Sequence, residues 1–212
     1  MVDPPLAAPL ESLEYVVVDV ETTGGAAKRD HRVTEIAAIR ADGAGTTLEE
    51  FSTLIDPERP IPPFITALTG ITDDMVRGAP RFAEIAPEVR RLLEGRIFVA
   101  HNAAFDWRFV STELERAQGV GIEAPRLCTV RLARRLLPEL PSRSLGALSD
   151  YFGIDNPARH RALGDARATV AVMHRLLERA AAQGIRYWHE LETLFARRTP
   201  RRRTTTARSP SK

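Results

Sequence analysis

EYVVVDVETTGG, residues 14–25, is the segment of this sequence that constrains the fold most strongly. Its first half is short, apolar and β-branched, which predicts a strand buried on both faces, and the Thr and Gly residues after it are typical of a turn. Asp19 and Glu21 are two positions apart, so their side chains lie on one face of the strand, while Val18 and Val20 point to the other. Neighbouring carboxylates repel each other, and a divalent cation would remove that conflict. The alternative is a pair of exposed strand-end acids without a ligand.

Outward from this strand, strand patterns give way to alternating helix and strand patterns. Two β-rich segments at 33–41 and 46–55 flank a turn sequence, so the chain opens with a three-stranded antiparallel meander. After a proline-rich stretch, strands are predicted at 96–101 and 126–129 and helices at 82–93, 104–117, 145–152 and 162–182. Pro87 predicts either a break in the first of these helices or a first turn that tolerates proline. The order of elements predicts an α/β fold, with a mixed five-stranded sheet flanked by helices.

Composition limits the class of protein. The chain has 212 residues, of which 43% are hydrophobic, and this is enough for one globular domain with a sizeable core. Its single cysteine excludes an intrachain disulfide and a thiolate metal cluster. No apolar run approaches the ~20 residues that span a bilayer, and the N-terminus has no apolar signal core. We therefore expect a cytoplasmic protein with no membrane partner.

Charge is unevenly distributed along the chain. Seven of the 30 basic residues and none of the 28 acidic ones lie at 197–212, which leaves 23 basic residues against 28 acidic ones in the rest. The rest is therefore net acidic by five charges, and the last segment net basic by seven. We divide the chain into an N-terminal extension at 1–13, one folded domain at 14–196 and a disordered basic tail at 197–212. The tail is either an arm that binds phosphates or a solubilising terminus.

Further candidate residues lie where other predicted elements begin. Asp106 follows HNAAF at 101–105, where a strand ends and a helix begins, and the dipole of that helix favours an anion in the first turn. His160 and Asp165 would point about 140° apart if both were helical. Pro157 predicts a loop at His160 instead, from which the imidazole can approach a site beside Asp165. Taken singly, these residues also fit a first-turn helix acid or a solvated loop histidine.

Three segments are together more specific than any single residue: VVVDVETTG at 16–24, HNAAFD at 101–106 and HRALGDA at 160–166. In this order they resemble the histidine-bearing branch of the DEDD exonucleases, the DnaQ-like 3′→5′ exonucleases. That family includes the proofreading epsilon subunit of bacterial DNA polymerase III. The resemblance covers residues 14–182, and it implies a ribonuclease H-like fold, in agreement with the mixed sheet predicted above.

The resemblance also implies catalytic roles. Asp19, Glu21 and Asp165 correspond to ligands of one cation, and Asp19 is shared with a second cation that Asp106 reaches directly or through water. His160 corresponds to the general base that takes a proton from the attacking water. The implied cofactors are two divalent cations, Mg²⁺ or Mn²⁺. A histidine base predicts activity that rises between about pH 6 and pH 8.

A second set of residues is implied to hold the terminal nucleotide. Its members offer backbone contacts, shape the nucleotide pocket or stack against bases. They are, in that order, Thr22 and Thr23, then Asn102 and Phe105, then Leu68 and Ile71. Thr69 stands where many relatives have histidine, so no polar contact is carried over to that position.

The implied reaction is hydrolysis of phosphodiester bonds at single-stranded DNA 3′ ends, releasing nucleoside 5′-monophosphates in proofreading or repair. RNA 3′-end trimming is the alternative, because ribonuclease T and oligoribonuclease share this branch and no residue here indicates a 2′-hydroxyl contact. The complete set of acids and histidine argues against a third class, a catalytically silent nucleic-acid-binding module. A DNA polymerase partner is possible, although no Gln-led apolar clamp-binding motif follows Gln183.

Overall fold

The computed structural model describes residues 8–27 and 30–196, in which five strands form one sheet in the order β3-β2-β1-β4-β5. The strands are β1 Glu14–Thr22, β2 Val33–Asp42, β3 Thr47–Leu54, β4 Ile97–Ala100 and β5 Arg126–Cys128. Strands β1 to β3 pair antiparallel, whereas β4 runs parallel to β1 and β5 runs parallel to β4. The predicted α/β fold with a mixed five-stranded sheet is confirmed.

Helices cover both faces of this sheet. They are α1 Pro63–Thr69, α2 Asp73–Val76, α3 Phe82–Leu93, α4 Ala103–Gln118, α5 Thr129–Leu136, α6 Leu145–Phe152, α7 Ala162–Ala182 and α8 Trp188–Ala196, preceded by a 3-10 turn at Leu10–Ser12. In the part of the chain that the structure describes, no helix is both long and apolar enough to cross a membrane.

The central strand β1 divides the core into two clusters. Tyr15 and Val17 are buried in the cluster that contains α5 and α7, while Val16 and Val18 are buried in the cluster that contains α3 and α4. This burial confirms that β1 is covered on both faces. The alternation of side chains then directs Asp19 to the α7 face, at the carboxyl end of the strand.

Three elements converge on that end of β1. Because β4 is parallel to β1, the two strands end at the same edge of the sheet, and α4 begins three residues after β4. Helix α7, which comes from the last quarter of the chain, packs against β1 and β2. Ligands of open α/β sheets bind in such positions, beyond the carboxyl ends of strands.

Pro87 does not break the helix that contains it. It is the sixth residue of α3, which is continuous, so neither a break nor a proline confined to the first turn is observed. Proline removes one helical hydrogen bond, and the burial of Ala86 and Val89 on either side of it offsets that loss. The observed bounds of α7 agree with the predicted 162–182.

The division into extension, domain and tail remains a prediction. Residues 1–7 and 197–212, on which most of the two terminal segments fall, lie outside the described residues. At the start of the described chain, Leu10 and Leu13 are buried in the same cluster as α7.

Candidate active site

Three carboxylates from two distant parts of the chain meet at the end of β1. Asp19 and Glu21 lie on β1 and Asp165 is the fourth residue of α7. One oxygen of each lies within 4.8 Å of the others. Hard cations such as Mg²⁺ and Mn²⁺ prefer carboxylate oxygens at this kind of spacing, so the donor set fits a divalent metal ion.

Asp106 flanks this trio from the side of α4. Its side chain is 4% exposed, and its Oδ1 accepts a hydrogen bond from the Val20 amide at 3.2 Å. The carboxylate is thus fixed against the short backbone segment between Asp19 and Glu21. Asp106 is not one of the three grouped ligands, and its charge is one cause of the raised pKa of Asp19.

Burial and mutual repulsion disfavour ionisation of these groups. Burial first, and then the charges of Asp106, Glu21 and Asp165, raise the pKa of Asp19 well above its usual range. Burial and the charge of Asp165 raise the pKa of Glu21 to about 8. Burial raises the pKa of Asp106 to about 7, although its hydrogen bond with the Val20 amide opposes this shift. A bound divalent cation would favour the ionised forms, so the electrostatics fit the same cofactor as the donor set.

His160 lies on a loop, as Pro157 predicts, because α7 begins only at Ala162. Its side chain is exposed, and its backbone adopts φ 62°, in the left-handed region. The His160 amide donates to Asp165 Oδ2 at 3.0 Å, and the Asn156 side chain donates to Asp165 Oδ1 at 2.7 Å. The loop that carries the histidine is therefore fastened directly to one of the candidate ligands. Left-handed backbone in a non-glycine residue is uncommon and clusters at functional sites.

The two threonines after β1's carboxylates are engaged within the protein. Thr22 Oγ1 donates to the Gly24 carbonyl at 2.9 Å. The Thr23 amide donates to the Arg32 carbonyl at 2.9 Å. The turn between β1 and β2 thus uses the Thr23 amide, and the expected backbone contacts of Thr22 and Thr23 with a nucleotide stay a prediction.

Asn102 and Phe105 lie beside Asp106, at the start of α4. Asn102 is exposed at the N-cap position with φ 72°, a second left-handed residue next to the carboxylates. Phe105 is half-buried, with its ring centroid 5.0 Å from that of Phe109. Both side chains thus have surface that a ligand can contact.

The residues expected to stack on bases have opposite environments. Leu68 is 56% exposed on α1, whereas Ile71 is fully buried in a small cluster under α1 and α2. Burial removes Ile71 from any stacking surface, which corrects that part of the expectation. Phe64, which the sequence patterns did not single out, is 66% exposed one helical turn before Leu68. Its i, i+4 spacing from Leu68 was the available signal.

Thr69 completes the end of α1. Its hydroxyl donates to the Ile65 carbonyl at 3.0 Å and accepts from the Ile71 amide at 3.1 Å. These bonds satisfy backbone groups at the helix end, so the side chain has a structural task at the position where many relatives have histidine.

Glu35 and His101 also lie near the site without having been singled out. Glu35 is buried on β2, directly across from Glu21 in the strand register. His101 begins the turn after β4, where its Nδ1 lies 2.9 Å from Thr129 Oγ1 and burial lowers its pKa. Glu35 is the one acidic residue in the largely apolar segment 33–41, and this was the signal for it.

The chain is similar in sequence to known proteins. A family model described as Exonuclease (RNase_T) matches residues 16–173. The chain is 42% identical over 191 residues to a Mycobacterium tuberculosis protein provisionally named a bifunctional exonuclease/endonuclease, covering 87% of this chain and 30% of that protein. It is 41% identical over 180 residues to a Rhodobacter capsulatus protein named DNA polymerase III subunit epsilon-like, covering 84% of this chain and 25% of that protein. The chain thus spans less than a third of the length of these curated relatives.

A solved structure gives a match of comparable length. Exonuclease X in complex with 5′ overhanging duplex DNA superposes with a TM-score of 0.66 at 27% identity, over 85% of this chain and 99% of that one.

Proposed function

The chain belongs to the RNase_T exonuclease family, and from that membership we propose that it is a metal-dependent 3′→5′ exonuclease that releases nucleoside 5′-monophosphates from single-stranded DNA ends. The proposal rests on one observation. Carboxylate oxygens of Asp19, Glu21 and Asp165 lie within 4.8 Å of one another, and Asp106 is bonded to the Val20 amide beside them. Four acids concentrated in one place disfavour a purely structural role, because burial raises the cost of each additional charge.

Two divalent cations, Mg²⁺ or Mn²⁺, are the proposed cofactors, and when bound they supply Lewis-acid activation of the attacking and leaving oxygens. Asp19, Glu21 and Asp165 would hold one cation. Asp19 and Asp106 would hold the other. The four carboxylates together offset the charge of two such ions, so the loaded site is close to neutral.

His160 is the proposed general base. Its imidazole is exposed on a loop whose backbone amide is bonded to Asp165, and this attachment to a candidate ligand supports the assignment. To accept the proton of the attacking water, its ring must be neutral. Asp165 positions the loop while it acts as a ligand.

Exposed apolar and polar side chains are proposed to hold the terminal nucleotides. Phe64 and Leu68 offer two exposed apolar side chains one turn apart, and bases stack on such surfaces with little sequence preference. Phe105 and Asn102 would shape the pocket next to Asp106. Thr22 and Thr23 remain proposed backbone contacts.

DNA is the proposed polymer because the Rhodobacter relative is named epsilon-like and the Exonuclease X structure contains DNA. A DNA polymerase is a proposed partner for the first reason alone. RNA is the second candidate, since the metal-binding residues act on phosphates that both polymers carry. A cytoplasmic location remains a prediction from the sequence.

The test is digestion of matched 5′-labelled single-stranded DNA and RNA with Mg²⁺ or Mn²⁺, with the Asp19→Ala variant alongside. A DNA ladder that shortens from the 3′ end, absent with the variant, is the expected result. Preferred shortening of the RNA would replace DNA by RNA as substrate. Degradation of neither polymer would overturn the proposal and favour a silent binding module.

A further inference from the structure

An ion pair with a buried carboxylate and a partly exposed guanidinium lies between β2 and the start of α7. Glu35 is 4% exposed, and Arg161 grips both of its oxygens, with Nη2 at 2.8 Å from Oε1 and Nε at 3.1 Å from Oε2. The Ala162 amide donates to Oε2 at 3.0 Å. Both carboxylate oxygens thus accept hydrogen bonds from protein donors, and Glu35 is not among the three grouped carboxylates, although it lies across from Glu21.

The pair sits where the loop becomes a helix. Arg161 is the N-cap residue of α7 and makes no side-chain capping bond within the described residues. Glu35, on β2, takes over the capping role by accepting a hydrogen bond from the Ala162 amide. This amide is one of the donors in the first turn of α7 that have no partner within the helix. The residue before Arg161 is His160, and Asp165 lies one turn into the helix. A contact that fixes Arg161 therefore also restricts the positions of His160 and Asp165.

The rest of the loop is pressed against the same turn. A Cβ added at Gly164 would clash with the Ala158 carbonyl and lie 2.7 Å from the Ala158 Cβ, so the loop and α7 are in close contact there. Asn156 reaches back to Asp165. The loop is thus held by Asn156, by Ala158 and by the pair at its end, which leaves His160 little freedom of backbone position.

We propose that Glu35 and Arg161 are positioning residues, a clamp that sets where the His160 loop and Asp165 stand relative to β1. The role rests on the proposed function, since it concerns the base and one ligand of the same reaction. A misplacement of about 1 Å in such groups lowers rate by about 10²-fold, whereas substrate contacts remote from the loop are unaffected. The clamp should therefore act on kcat and leave KM nearly unchanged.

The experiment compares Glu35→Gln, Arg161→Gln and the double variant on 5′-labelled single-stranded DNA. We expect each single variant to lose about 10- to 100-fold in kcat, and the double variant to lose no more than the worse single one, because the two residues work as one unit. Hydrogen exchange, measured without metal, should accelerate in the segment 156–165. Glu50→Gln is the matched control, because Glu50 makes the same two-bond contact with Arg167 of α7 at an exposed position.

Arg161→Lys covers the case in which removal of the charge beside the buried Glu35 carboxylate prevents folding. Lysine keeps the charge beside Glu35 but cannot grip both oxygens. A reduced kcat in this folded variant supports the clamp. Wild-type kcat with unchanged exchange at 156–165 would overturn it, as would a loss carried by KM or effects of the single variants that multiply in the double one. An inactive wild-type protein would instead overturn the proposed function, and the exchange measurement would still decide whether the pair orders the loop.

Discussion

The carboxyl groups of Asp19, Glu21 and Asp106 are held where their ionisation is unfavourable without a cation. Folding raises the pKa of Glu21 to about 8 and that of Asp106 to about 7. A carboxyl with a raised pKa stabilises the folded protein fully below its unfolded value of ~4, and this contribution is lost as pH rises through the folded value. The free energy of unfolding of the metal-free protein should therefore fall as the solution becomes alkaline.

We predict a lower thermal midpoint at about pH 8.5 than at about pH 6.5 in the presence of a chelator, and a smaller difference in excess Mg²⁺. Thermal unfolding followed by circular dichroism measures both. The Glu21→Gln variant should show a smaller difference in thermal midpoint between the two pH values, because it lacks the carboxyl whose pKa is raised to about 8. An unchanged difference in this variant would assign the pH effect to other residues. His101, with a lowered pKa, acts below about pH 6.5 and in the opposite direction.

Substitutions of His160 and Asp19 should affect proton transfer and metal binding differently. His160→Ala removes the proposed base but no ligand, so kcat should fall by about 10²- to 10⁴-fold while Mn²⁺ affinity stays near that of the wild type. Asp19→Ala should lose both, because this residue is proposed to contact both cations. Calorimetric titration with Mn²⁺ and steady-state kinetics test the division. Equal loss of metal affinity in the two variants would contradict it.

Individual residues were predictable where local geometry determines them. The shared face of Asp19 and Glu21 follows from the period of a strand, and the place of Asp106 in the first turn of α4 follows from a strand-to-helix junction. Ile71 and the Thr23 amide were not, since their availability depends on a cluster under α1 and on the Arg32 carbonyl across a turn. Glu35 was missed because its partner lies 126 positions away in sequence.

At the scale of elements, the junction of the 156–161 loop with α7 depends on a glycine. Gly164→Ala improves helix propensity by up to about 1 kcal/mol, yet the new methyl group would collide with Ala158. We predict that displacement of the loop dominates and that kcat falls about tenfold or more, with little change in KM. Kinetics on single-stranded DNA measure this effect.

The control for that substitution is Gly121→Ala. An added Cβ at Gly121 meets no atom within 4 Å, so this variant should keep wild-type kcat. Full activity of Gly164→Ala would show that the loop tolerates a shift at Ala158, and it would weaken the case for a rigidly seated histidine.

Elements with strong local signals were predicted close to their observed bounds. Helix α7 has a long apolar stripe and a proline upstream, and both ends agree with the structure. The continuity of α3 was not predictable, because it depends on buried neighbours of Pro87 that hold the helix together. Proline in isolation indicates a break, and only tertiary packing overrides it.

For the whole molecule, the distribution of charge opposes binding of a polyanion to residues 1–196, which are net acidic by five charges, while residues 197–212 are net basic by seven. We predict that removal of residues 197–212 raises KM for single-stranded DNA at low salt and reduces the dependence of log KM on log salt by about 0.7 per lost phosphate contact. Measurements of KM over a salt series test this. The alternative, a solubilising terminus, predicts unchanged KM and poorer solubility.

A p-nitrophenyl ester of thymidine monophosphate is the control substrate for the truncation. It carries one phosphate and offers nothing for a distant arm to hold, so its hydrolysis should be equal in both proteins. A parallel loss on this substrate would indicate damage to the site.

The site draws on β1, α4 and the junction before α7, which are far apart in the chain. A nascent polypeptide that has left the ribosome only as far as α6 already contains Asp19 and Asp106 but neither His160 nor Asp165. We therefore expect the proposed activity to appear only once α7 has docked on the sheet. For the same reason, we expect cleavage in the exposed connection between α5 and α6 to give two fragments that are inactive alone and active when they reassociate.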